Sequence, residues 1–275
     1  MKDFKINFKL KNINDIVPWE NNDLHWFALT DGILYIQVGD HKIYEYSDSA
    51  LDFFKCDKYN DYYLERFVTD FTEIFRFIRE PIPEILYDNI DTFADMAYLW
   101  KNMYINKPDD VFDEFYFGEY DTLTEWYCIH TLDSAHLTGG PDISFFRYGD
   151  KIKIMWKTSD DAILENGQNI WTSPNGIYEM YWNDFTEEVE SFLKKFRRAM
   201  DLHTAFICKN GVSHAEIDIK HLLRSNCNNH VILQQHLQLL LSDDYEKTNF
   251  KQILTIYDKM RGEINEQKLQ EISGK

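Results

Sequence analysis

An α+β fold, with antiparallel β meanders packed against amphipathic helices and a helical C-terminal region, is what this 275-residue sequence predicts. Three observations carry that expectation. Short runs near the N-terminus and between residues 126 and 182 alternate apolar and polar residues, the period of a half-buried strand. The runs are joined by Gly-containing turn pairs, as in hairpins rather than parallel crossovers. Between and after them, apolar residues recur at three- and four-residue steps, the stripe of a helix that packs on one face.

Phe4, Ile6, Phe8 and Leu10 alternate strictly and form the first strand; Pro18 and Trp19 interrupt the pattern. Leu24–Leu29, Ile33–Val38 and Lys42–Tyr46 follow as a meander, turned at Asp31-Gly32 and Gly39-Asp40. Ser47 or Asp48 caps a short helix to Phe54, and a helix over 61–79 buries Leu64, Phe67, Val68, Phe71, Ile74, Phe75 and Ile78 before Pro81 and Pro83 end it. Asp91 caps a helix to about Tyr104. Trp126–Thr131, Ile143–Arg147 and Lys151–Trp156 read as strands, and Asn169–Thr172 with Ile177–Trp182 as a hairpin around Asn175-Gly176. Asp184 caps a helix over 184–202, with Glu187 at the capping-box position. Both β regions are expected in one antiparallel sheet system covered by the helices 61–79 and 184–202. Helices near Ala215–Arg224, His230–Leu241 and Phe250–Ile264 complete the chain, giving a core domain over 1–205 and a helical extension over 206–275 packed on it.

Apolar residues are 44% of the chain and aromatics 16%, ample for a buried core, and the formal charge is −18. Most of the charge is local: Glu80–Phe146 holds fourteen acids against Lys101 and Lys107, net −12. Such a field attracts basic surfaces and disfavours nucleic acid and anionic membranes as partners. No apolar run approaches the ~20 residues of a membrane helix. The N-terminus, MKDFKINFKL, has no apolar signal core, and Cys56, Cys128, Cys208 and Cys227 are widely spaced, so reduced thiols in the cytoplasm are expected.

The stretch PWENNDLHWFALTDGILYIQVGDHKIYEYSD (Pro18–Asp48) resembles a bacterial family, domain of unknown function 5984. LDSAHLTGGPDISFFR (Leu132–Arg147), the strand end at Trp156, IWTSPNGIYEM (Ile170–Met180) and the F-x3-V-x2-F pattern of Phe185–Phe192 match as well, and the resemblance covers about residues 1–200. It implies a bacterial, cytoplasmic α+β protein and no established activity, so it assigns no functional residues.

Three constellations carry chemistry. Pro108–Phe146 has nine acids, no Lys or Arg, and aromatics threaded through DDVFDEFYFGEYDTLTEWY. Aromatic anchors among steering charges fit a basic protein partner, with Asp110, Phe112, Asp113, Glu114, Phe115, Tyr116 and Tyr120 as binding residues. Asp109–Glu125 is expected to be exposed, with at least two of its aromatics in solvent. The loop from His130 to Arg147 offers an acid–base set, His130, Asp133 and His136, should the protein be an enzyme; those three must then meet in one cavity. In the C-terminal part only Cys227 and His230 have ligand spacing and the second pair of a zinc site is missing, so no metal and no cofactor are expected. Trp26, Trp126, Trp156, Trp171 and Trp182 are expected in the core. The leading function is a non-enzymatic acidic protein-binding module, comparable in composition to bacterial immunity proteins. The alternatives are a small-molecule enzyme with its site in the loop 130–147 and a subunit of a bacterial assembly docked through the C-terminal helices.

Overall fold

The computed structural model describes residues 4–18, 24–134, 136–137, 139–245 and 247–273. Trp19, half of the break expected after the first strand, lies outside the described residues. Two four-stranded antiparallel sheets replace the single sheet system. In the first, β1 (Phe4–Leu10) pairs along the whole of β2 (Asp31–Val38). The other edge of β2 takes β3 (His41–Ile43) at one end and β4 (Asp61–Tyr63) at the other. The second sheet runs β5 (Thr131–Leu132), β6 (Asp142–Tyr148), β7 (Lys151–Lys157) and β8 (Asn175–Tyr181), in that order. A single bridge between Tyr46 and Trp171 connects the segments that flank the two sheets.

The helices are α1 (Asp48–Phe54), α2 (Leu64–Glu73), α3 (Phe75–Ile78), α4 (Glu84–Asp88), α5 (Phe93–Tyr104), α6 (Asp109–Phe115), α7 (Asp121–Cys128), α8 (Trp182–Asn210), α9 (Ile219–Leu241) and α10 (Phe250–Ser273). Ser47 caps α1, its Oγ accepting from the Ala50 amide at 3.2 Å. The helix expected over 61–79 is a strand followed by two helices, because the backbone turns at Ile74.

Two cores hold the molecule. The first lies under α8 and between the sheets: Phe185 meets Phe4 of β1 at 5.4 Å and Phe145 of β6 at 5.7 Å, so one side chain ties both sheets to one helix. Phe192 and Phe196 continue the contact onto Phe8, edge to face. The buried Glu188 carboxylate accepts from the Ile6 amide of β1. Helix α9 closes this side, where the Arg79 guanidinium donates to the Leu239 carbonyl at 2.8 Å. The second core is built from α4, α5, α6, α7, Phe146 of β6 and α10, with Trp100, Phe93, Phe115, Trp126 and Tyr257 at its centre.

Further sequence expectations change. Asp184 does not cap its helix: α8 already begins at Trp182, with no side-chain cap. Asp91 lies in a 3-10 turn ahead of α5, whose N-cap is Thr92. Asn169–Thr172 makes isolated bridges rather than a strand. Leu24–Leu29 is no strand: Ala28–Thr30 is a single turn of 3-10 helix that buries all three residues. Trp126–Thr131 is mainly the end of α7, because Leu123, Trp126 and His130 share one helical face and all are buried. The stretches 215–224 and 230–241 belong largely to one helix, α9. Asn175-Gly176 is not a hairpin turn: both residues lie in β8, which pairs with β7. Glycine is needed at 176 because Trp156 lies flat across it. An added Cβ would come within 2.6 Å of Cη2 and 2.7 Å of Cε2 of that indole, and closer still to Cζ2. Gly176→Ala is therefore expected to destabilise the fold by about 1–3 kcal/mol. Urea unfolding measures this; a midpoint equal to wild type would mean that the indole moves aside freely.

All five tryptophans expected in the core are buried, though Trp26, Trp126 and Trp182 reach it from turns and helices. Among the described residues no helix is long and apolar enough to cross a membrane. All four cysteines are free.

Candidate functional site

The acidic segment is a continuous helical run from Asp109 to Cys128, widened by one π turn at Tyr116–Tyr120. Such turns break the regular ladder and recur at functional sites. Gly118 lies within it, with open space where a Cβ would stand. Asp109, Asp110, Asp113, Glu114, Asp121 and Glu125 are all exposed. Phe117 is 71% exposed, and Val111 of α6 is exposed as well.

The expected binding residues divide. Asp110, Asp113 and Glu114 face solvent, and Phe112, Tyr116 and Tyr120 form a half-buried row stacked at 5.3–5.4 Å. Phe115 is a correction. It is 4% exposed, stacked at 3.8 Å on Tyr104 and edge-on to Trp100, because it is the one residue of α6 that points into the second core. Phe117, absent from the expected binding set, is the most accessible ring of the segment.

The segment has no cation of its own, and two neighbours supply some. Lys101 of α5 stands over the rings of Tyr116 and Tyr120, at 5.1 and 5.7 Å. Lys259 of α10 forms an ion pair with Glu119. Deeper in, Glu263 accepts from the Trp100 indole at 2.6 Å and from the Tyr104 hydroxyl at 2.9 Å, and burial with this carboxylate pushes the Tyr104 phenol up to about 12. A groove of about 560 Å³ runs between α6, the π turn and α10, with Glu114, Gly118 and Lys259 on its walls. The six acids named above remain outside these pairs, so the outer face keeps its charge.

The histidine loop is arranged differently from an acid–base site. His130 is 2% exposed; its ring is stacked on Phe146 and lies near Trp126, while Nδ1–H donates to the Trp126 carbonyl at 2.8 Å. Desolvation pushes its pKa down to about 4, so it is a neutral core residue. His136 is half-buried against the Tyr62 ring, at 4.9 Å, in a small recess with Tyr44 and Leu137. Asp133 is exposed. The three therefore do not line one cavity. The Ser134 hydroxyl is used by Tyr44, at 2.6 Å, and its amide donates to Asp142.

Cys227 and His230 both lie on α9, where His230 Nε2 sits 3.2 Å from Asp201. Among the described residues no group of three or more His, Cys, Asp or Glu side chains is placed to hold a metal ion.

One family profile matches residues 5–255, nearly the whole of both cores. The chain belongs to the family of unknown function DUF5984. The match extends past the 200 residues on which the resemblance rested and takes in α9 and the start of α10, so for DUF5984 the helix α9 is part of the family's extent. No curated protein and no solved structure matches the chain.

Proposed function

We propose that this protein is a non-enzymatic binding module that seats a basic protein on the acidic helical run Asp109–Cys128. The observation that carries this reading is Phe117, an aromatic 71% exposed at a π turn and surrounded in sequence by six exposed carboxylates. An aromatic anchor inside a ring of like charge gives a partner both a buried contact and long-range steering. The stacked row of Phe112, Tyr116 and Tyr120 stiffens the surface behind it. A bacterial, cytoplasmic protein that covers a basic toxin surface, as immunity proteins do, fits this chemistry by analogy of composition.

The test begins with capture of the partner from the native host at low and at moderate salt. Charge reversal of Asp110, Asp113 and Glu114 together is expected to slow association about tenfold at low salt and to leave dissociation nearly unchanged. The wild-type rate is expected to fall as salt rises, because exposed charges are screened within about 10 Å at 0.1 M salt. Association that ignores both the three substitutions and the salt would make this face an ordinary solvated surface.

A further inference from the structure

The outer face of α8 and α9 has the opposite sign to the rest of the chain. Ser191–Leu241 holds seven Lys or Arg against Asp201, Glu216 and Asp218, net +4 within a chain of −18. We propose that this face docks the acidic helical run Asp109–Cys128 of a second copy of the same chain, head to tail. This rests on the protein-binding reading in taking that run as a binding face. It goes beyond it by naming what fills the run when no basic partner is bound.

The basic face is a regular pattern. On α8, Lys195, Arg198, Leu202, Phe206 and Lys209 recur at three- and four-residue steps and all are exposed, so one stripe carries cations at its ends and apolar side chains between them. On α9, Lys220, Leu223, Arg224, Cys227 and Val231 are exposed in the same manner. The two helices lie side by side, with Arg197 donating to Gln234 at 3.1 Å. The one acid between Ser191 and Asn210 is Asp201, and α9 engages it: Asn226 donates to it at 2.8 Å and His230 sits 3.2 Å away. Lys194 pairs with Glu190. Among the described residues no ion pair engages Lys195, Arg198, Lys209, Lys220 or Arg224.

The acidic run repeats this pattern with the sign reversed. Asp110, Glu114, Phe117, Asp121 and Glu125 follow at three- and four-residue steps, all exposed, with an aromatic ring between carboxylates. At 1.5 Å per residue both stripes are about 20 Å long, so charge can meet charge along the whole contact. A shallow groove of about 550 Å³ beside Leu223, Cys227 and Val231 gives the Phe117 ring a place to enter. An apolar anchor at the centre and charges at the rim is the ordinary anatomy of a protein contact.

A membrane suits the face less well. An anionic bilayer is negative across its whole plane, so it repels the acidic remainder of the chain along with attracting the cations. A second copy offers a narrow acidic run of matching length and the ring that the apolar strip lacks. The copies still repel one another as whole bodies, each at −18, so a weak contact with a dissociation constant of about 0.1 mM is expected.

That repulsion gives the contact its own salt signature, read by sedimentation of the full chain. At about 0.2 mM chain and 0.1 M salt the weight-average mass is expected to be at least about twofold that of the monomer. It is expected to fall toward the monomer near 0.01 M salt, where fields reach about 30 Å and whole copies repel, and again near 1 M, where facing charges are screened within about 3 Å. Two variants at exposed positions separate the halves. One carries Arg198→Gln, Leu223→Ser and Arg224→Gln; the other carries Asp113→Asn, Glu114→Gln and Phe117→Ser. Each alone is expected to be monomeric. Their equal mixture is expected to give a one-to-one dimer and nothing larger, because a single intact pair of unlike faces remains.

A wild-type monomer at 0.1 M salt, self-association that survives in the α8–α9 variant, or a mixture of the two folded variants that stays monomeric each overturns the proposal. So does binding of a monomeric wild type to phosphatidylglycerol–phosphatidylcholine vesicles that the α8–α9 variant loses, which assigns the face to a membrane. A chain that captures a basic partner and stays monomeric at every salt defeats self-docking alone. A chain that self-associates through both faces and captures no basic partner supports self-docking and defeats the protein-binding reading instead.

Discussion

Trp100→Ala is expected to destabilise the protein by about 3–5 kcal/mol, the range for deleting a fully buried large aromatic. Trp100 is 0% exposed at the centre of the second core, edge-on to Phe115 at 4.8 Å and to Tyr104 at 6.3 Å. Its truncation opens a cavity between α5, α6 and α10. It also strips Glu263 of its 2.6 Å indole donor, leaving the Tyr104 hydroxyl and, at 4.0 Å, the Lys259 ammonium beside that carboxylate. Trp100→Phe keeps most of the volume and loses the hydrogen bond, so about 1–3 kcal/mol is expected for it. Equilibrium unfolding in urea ranks the two variants. Similar losses for both would mean that the hydrogen bond outweighs the packing; no loss for either would mean that the second core contributes little to global stability.

The next largest effect is hidden in the wild type, because two buried groups oppose one another. The pKa of His130 falls from 6.5 to about 4 on burial. The unfolded chain therefore binds the extra proton between those values; the contribution of a neutral His130 is complete above pH 6.5 and is lost as the pH falls to 4. Glu65 runs the other way. Desolvation raises its carboxyl from 4.5 to about 7, with one oxygen held by Thr69 and the other without a hydrogen-bond partner among the described residues. Its contribution is complete below pH 4.5 and gone above about 7. Each shift is worth about 3 kcal/mol, so between pH 4.5 and 6.5 the two nearly cancel.

Single substitutions should expose the halves. Glu65→Gln is expected to gain up to about 3 kcal/mol at pH 8 relative to wild type, with the gain vanishing near pH 4.5. His130→Phe is expected to remove the loss on acidification, so that its stability falls steadily from pH 4.5 to 7. Urea midpoints at pH 4.5, 6 and 8 measure both curves. Curves parallel to wild type would show that neither group titrates as its surroundings dictate.

What the sequence made legible follows the range of the interaction. The alternation in β1, the Ser47 cap and the β6–β7 hairpin are local signals, and each appears at the expected residues. Trp126 misled because a bulky aromatic suits a strand or a helix equally; the helical spacing from Leu123 to His130 was the signal that would have placed it. Gly176 misled because Asn-Gly usually marks a turn, whereas here glycine is required by an indole twenty residues earlier. The acids of α6 and α7 were readable as exposed charge. The burial of Phe115 was not, since it depends on Trp100, Tyr104 and the packing of α10. A recess of about 730 Å³ between α5, the end of α7 and the ends of β6, β7 and β8 draws its walls from Asp91 to Ile177, a span no local pattern encodes.

The second core has its keystone in α10. Ile253, Ile256, Tyr257, Met260 and Ile264 of α10 fill it, against Phe93, Trp100 and Trp126. During synthesis the earlier aromatics leave the ribosome long before their partners exist. From Trp100 to Ile264, at ~5–20 residues per second, the wait is on the order of ten to thirty seconds. In that interval the nascent chain presents a greasy, half-finished face, and the dense negative charge of Asp109–Glu125 sits directly on it. Like charges repel, so two chains at that stage meet each other's negative surface before their apolar faces can touch.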